Sequence, residues 1–154
     1  MEKSSPSSRN RLLELLHPLD LDRLRQHLEP VVLEYRQSLY KANEPMTSVY
    51  FPIDGVVSLV NTMADGSTSE VGTIGNEGVV GLPVILGDRL ARNSAYALPG
   101  NGLKLPADIL TAELERAERG SLCCTMRTLF LIRSPNRRHV TTTISSGSAV
   151  AAGY

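Results

Sequence analysis

The stretch VYFPIDGVVSLVNTMADGSTSEVGTI, residues 49–74, breaks into three short apolar and β-branched runs at Asp54-Gly55 and Asp65-Gly66. Runs of this kind suit a pleated, half-buried strand, and an Asp-Gly pair tolerates the positive φ angles of a tight hairpin. The spacing therefore predicts an antiparallel meander with one hairpin at each Asp-Gly joint. Upstream, VVLEYR (31–36) and SLYKANEP (38–45) extend the pattern. Downstream, NSAYAL (93–98) and GLKLP (102–106) flank the turn PGNG. About seven short strands at such spacing predict a sandwich or barrel of jelly-roll type.

Helices frame this region. NRLLELLHPLDLDRLRQHL, residues 10–28, repeats leucine at helical intervals and is interrupted by Pro18. It predicts two short amphipathic helices, the second restarted by Asp20 as N-cap. A third helix, ADILTAELERA, follows Pro106. A fourth signal begins near Gly120, where Leu122, Met126, Leu129 and Phe130 recur at three- and four-residue intervals. Such a stripe is either core or the seam of a partner helix, and it ends at Ser134-Pro135. The fold class expected is mainly β with flanking helices, an antiparallel β roll. Residues 1–9, polar and serine-rich, are expected to be disordered.

Composition narrows the function. The 154 residues suffice for one domain, and sixteen basic side chains balance sixteen acidic ones, so no global field draws the chain to nucleic acid or anionic lipid. No apolar run approaches the roughly 18 residues of a membrane span, so a cytoplasmic location and no membrane partner are expected. Cys123 and Cys124 are adjacent, which gives neither a chelating spacing nor a disulfide framework. They read as free thiols.

Catalytic signatures are missing. There is no GxxxxGK[ST] phosphate cradle and no GxSxG elbow, and His17, His27 and His139 all lie outside the predicted strands. A jelly-roll metalloenzyme needs converging histidines. Acid pairs such as Asp20/Asp22 and Glu113/Glu115 read as solvated helix faces. No enzyme, no metal and no cofactor are expected. One stretch does invite a ligand: GNEGVVGLPVILGDRLARNSAYALPGNG, residues 75–102, is glycine-rich and returns into a strand. It reads either as a loop that presents backbone N–H groups to an anion or as one that packs Val79, Val80, Leu82, Val84, Ile85 and Leu86 into the core.

Taken in order, NRLLELLHPLDLDRLRQHLEPV, VYFPIDGVVSLVNTMADGSTSEVGTIGNEGVVGLPVILG and LPADIL resemble the N-terminal, cyclic nucleotide-binding-like domain of Crp/Fnr-type transcription regulators. The resemblance covers residues 10 to about 131 and implies a β roll that senses a small effector, then a helix that pairs two subunits. It places a phosphate-binding cassette at Gly78, Val79, Gly81 and Leu82, continued in Arg92, Asn93 and Ser94. The family's ribose-binding Glu falls at Val79; its phosphate-binding Arg falls at Arg92, with Ala91 and Asn93 as neighbouring alternatives. Without that carboxylate, ribose hydroxyls lose an acceptor, at about 1 to 3 kcal/mol per unmade bond. The expectation is either a small-molecule effector of unknown identity other than cyclic AMP, or no effector. An iron–sulfur cluster of the Fnr kind needs four cysteines, which two adjacent ones cannot supply.

By the same resemblance, Leu122, Met126, Leu129 and Phe130 belong to the dimer helix, which implies a homodimer or a heterodimer with intact relatives. The alternative expectation is a stand-alone ligand-binding or heterodimerising domain. The family continues this helix with a segment like QxAACNxxHxxxQRxxRWL. Residues 135–154, read from the third base of each codon, can be written QSAACNHYHLLGQRGCRWL. His139-Val140, for instance, permits TGT for Cys, and Ala152-Gly153 permits TGG for Trp. The expectation is a frameshift near Leu129–Leu131, a disordered tail at 132–154 that does not belong to the domain, and no DNA binding by this chain alone.

Overall fold

The computed structural model describes residues 10–117. Two short helices, α1 (Arg11–Glu14) and α2 (Pro18–Arg25), lead into seven strands: β1 (Glu29–Leu33), β2 (Ser38–Tyr40), β3 (Ser48–Pro52), β4 (Val57–Thr62), β5 (Thr68–Ile74), β6 (Ser94–Ala97) and β7 (Gly100–Pro106). A four-residue helix, α3 (Leu82–Ile85), lies between β5 and β6, and α4 (Ala107–Ala117) follows β7. The strands form two antiparallel sheets ordered β1-β7-β3 and β2-β6-β4-β5, the jelly-roll arrangement expected.

The meander is corrected. Asp65-Gly66 is a true hairpin between β4 and β5, closed by Met63 N–H to Ser67 O at 2.8 Å. Asp54-Gly55, by contrast, joins β3 of one sheet to β4 of the other. Gly55 there is met by the backbone of Gly100: a Cβ built on Gly100 would stand 2.3 Å from Gly55 Cα. The dipeptide marks a corner because two chains cross in contact. The turn assigned to PGNG is also shorter than expected, since Gly100, Asn101 and Gly102 already pair with β1.

The second helix starts earlier than Asp20. His17 is its N-cap, accepting the Leu19 N–H at 3.4 Å, and Pro18 takes the first helical position. Proline is favoured there because its missing N–H would have no helical partner anyway. Asp20 instead sits in the first turn, where its charge complements the helix dipole.

Strand alternation divides the interior in two. Val49 and Phe51 of β3, with Leu103 and Leu105 of β7, pack against Leu12, Leu13 and Leu24 of the leading helices and Leu110 and Leu114 of α4. Burying side chains of this size contributes about 1.5 to 3 kcal/mol each. The second cluster joins Leu33, Val57, Val80, Ala95 and Ala97 across the two sheets. Tyr50, between Val49 and Phe51, packs against this second cluster, as the two-residue period of a strand requires. No described helix is long and apolar enough to cross a membrane. The predicted dimer-helix stripe, the two cysteines, and the segments 1–9 and 132–154 lie outside the described residues.

Candidate functional site

Between β5 and β6 the chain makes a long excursion, residues 75–93, that lies over β3. Its first half is bound to that strand: Tyr50 N–H donates to Val80 O at 2.9 Å and Val80 N–H to Tyr50 O at 2.8 Å. Its second half pairs with residues 43–46, through Asn43 N–H to Ala91 O at 2.7 Å and Met46 N–H to Arg89 O at 2.8 Å. At the turn into α3, Gly81 takes φ +115°, and a Cβ there would approach Val49 Cγ1 to 2.7 Å. Only glycine combines that backbone conformation with so close an approach.

Each residue assigned to the cassette has a defined place. The Gly78 carbonyl accepts from the Asn10 side chain at 2.9 Å. Val79 is completely buried in the helix-side cluster, and Leu82 opens α3 in the same cluster. Arg92 pairs with Asp88 at 3.3 Å. Asn93 donates to Asn61 Oδ1 at 2.8 Å. Ser94 is buried, its Oγ accepting the Ala42 N–H at 3.1 Å. The apolar side chains of the loop pack as expected: Val79, Val80, Leu82, Val84 and Ile85 are buried and Leu86 is partly so.

The surface between the sheets is apolar, with phenols at its margin. Val57 stands opposite Ala97 and Ile74, and Leu59 opposite Ala95 and Gly72. Tyr40 and Tyr50, partly buried, pack on the same cluster. Burial raises both phenols above the ordinary tyrosine value, Tyr40 the more strongly. Among the described residues no three or more His, Cys, Asp or Glu side chains come together as a metal site.

Sequence reasoning missed Asn10, Tyr40 and Tyr50. An Asn just before an apolar helical run is an N-cap signal, but its reach to Gly78 across 68 residues has no local signature. For the tyrosines the signal was strand alternation, which sets Tyr50 apart from Val49 and Phe51.

Residues 30–117 match the family model of the cyclic nucleotide-binding domain. The chain belongs to that family. This cyclic nucleotide-binding domain superposes on the N-terminal domain of a transcriptional regulator from Streptomyces coelicolor A3(2), with a TM-score of 0.61 and 19% identity, over 96% of this chain and 98% of that one. A cyclic nucleotide-binding domain from Methylobacillus flagellatus KT gives a TM-score of 0.66 at 13% identity, over 89% and 81% of the two chains. The regulatory subunit of a cAMP-independent protein kinase A from Trypanosoma cruzi, bound to guanosine, gives 0.65 at 16%, over 92% of this chain and 48% of that one. The chain thus spans about half the length of that kinase subunit. No curated protein matches it.

Proposed function

We propose that this domain is the effector-sensing and dimerisation part of a Crp/Fnr-like transcription regulator, and that its effector is not cyclic AMP. The reading is supported above all by the loop 75–93, whose contacts reach both the helix that precedes the strands and the one that follows them in the chain. Arg11 N–H donates to Asn76 O at 2.7 Å on the leading side, and Arg89 pairs with Asp108 of α4 at 2.6 Å on the trailing side. An effector held by this loop would act on α4, and through it on the predicted seam of Leu122, Met126, Leu129 and Phe130.

Two observations argue against a cyclic nucleotide, the first at its ribose and the second at its phosphate. Val79, at the position of the family's Glu, is sealed in apolar core, and Arg92 already has a carboxylate partner in Asp88. Guanosine, the ligand of the trypanosomal subunit, lacks the phosphate but keeps the ribose hydroxyls, so it separates the loss at Arg92 from the loss at Val79. Calorimetric titration with cyclic AMP, cyclic GMP and guanosine tests the reading. Neither cyclic nucleotide is expected to bind, and micromolar binding of either would overturn the exclusion.

Dimerisation is tested by light scattering on the full chain, where a monomer would count against a retained seam. We further propose that residues 135–154 are an out-of-frame reading of the family's helix-to-DNA-domain segment. The gene's nucleotide sequence decides this; the absence of helix-turn-helix coding sequence in the shifted frame would sink the idea.

A further inference from the structure

Asn10 is completely buried, and both ends of its carboxamide are engaged. Oδ1 accepts the N–H groups of Leu12 at 3.1 Å and Leu13 at 3.2 Å, which caps α1. Nδ2 donates to Pro52 O and to Gly78 O, each at 2.9 Å. One side chain therefore binds the start of the first helix, the end of β3 and the opening turn of the loop 75–93. An ordinary N-cap uses only its acceptor. A carboxamide is the neutral side chain that supplies two acceptor sites and two donors from one planar group.

The backbone around it repeats the connection. Asn76 gives its carbonyl to Arg11 N–H, and Val80 exchanges both backbone hydrogen bonds with Tyr50. Asn76, Gly78 and Val80 are thus held at alternate positions by α1, Asn10 and β3. The Gly78 link is the only one of the three made by a side chain.

We propose that Asn10 is a positioning residue of this loop: it ties the conformation of Gly78 and Val79 to the first turn of α1, so that loop and helix open together. The weight of that coupling for signalling rests on the effector-binding reading of the loop. The coupling itself does not, so its test needs no ligand.

The test is amide hydrogen exchange on the full chain, comparing wild type with Asn10→Ser and Asn10→Asp. Both variants retain an oxygen for the Leu12 and Leu13 N–H groups, and neither restores the paired donors to Pro52 and Gly78. Exchange at Gly78 and Val80 is expected to quicken roughly tenfold or more, the order of one buried hydrogen bond. The Leu103 and Leu105 amides of β7 should change far less, because the opening is local. Unchanged rates at Gly78 and Val80 would overturn the proposal, as would an equal rise at Leu103 and Leu105, which signals a general loss of stability. Should both variants fail to fold, the wild type still decides: its Asn10 carboxamide protons must exchange much more slowly than those of exposed Asn43, and equal rates would overturn the assignment.

Discussion

Asp54-Gly55 and Asp65-Gly66 are the same dipeptide in two regions of one domain, and they do different work. At the second, Gly66 takes φ +83° and a Cβ there would meet nothing within 4 Å. Asp65 accepts the Ser67 N–H at 2.8 Å, and every interaction that shapes the turn is local. At the first, Gly55 has no positive φ. It is glycine because a Cβ would press Leu33 Cδ1 to 2.9 Å and because Gly100 passes against it. Asp54 receives Asn101 Nδ2 at 3.0 Å, a partner 47 residues away. A turn signal in sequence reports that the backbone bends; what lies across the bend decides whether it makes a hairpin or a corner between sheets.

Substitutions can break this contrast. Gly100→Ala should be the most damaging, because its Cβ would meet the Gly55 backbone, which cannot rotate away. A loss of about 3 kcal/mol or more is expected, read as the shift in a urea unfolding midpoint. Gly55→Ala should cost less, about 1 to 3 kcal/mol, since the atom it meets is the end of a leucine side chain. If Gly55→Ala and Gly100→Ala both proved milder than Gly66→Ala, the close-crossing account of the corner would fail.

Gly66→Ala has only a conformational cost, about 1 to 2 kcal/mol for a left-handed residue with a Cβ, and should leave the β3–β4 corner untouched in backbone chemical shifts. The smallest effect belongs to Asp65→Asn. The Ser67 side-chain hydroxyl, and then its N–H, hold the Asp65 carboxyl below the usual aspartate value. A carboxyl lowered in the fold contributes stability above its unfolded pKa and loses it as pH falls through the folded one. Wild type and Asp65→Asn should therefore differ slightly in thermal midpoint at neutral pH and converge in strong acid. A difference that grew on acidification would reverse the assigned sign.

The candidate site was partly legible for the same reason that the hairpin was. The seven strands and ADILTAELERA stood out because strand and helix periods are local; α4 spans Ala107–Ala117 as that run predicts. The glycine-rich loop was recognisable as a unit. The occupations of Arg92, Asn93 and Ser94 were not. Each turns to a partner set by the fold: Asp88 in the same loop, Asn61 on β4 and Ala42 beyond β2. His17 shows the limit at short range, since a cap was sought at Asp20, two residues past the proline that fixes the helix start.

By itself the sequence determined the seven strands, the two leading helices and α4, and where the backbone bends, because each follows from a residue's own preferences. Only the tertiary structure decided that Asp54-Gly55 changes sheets, that Val79 is sealed in the core, and that Asn10 grips Gly78. Those facts depend on which distant backbone arrives within hydrogen-bonding or van der Waals distance, and chain packing alone sets that.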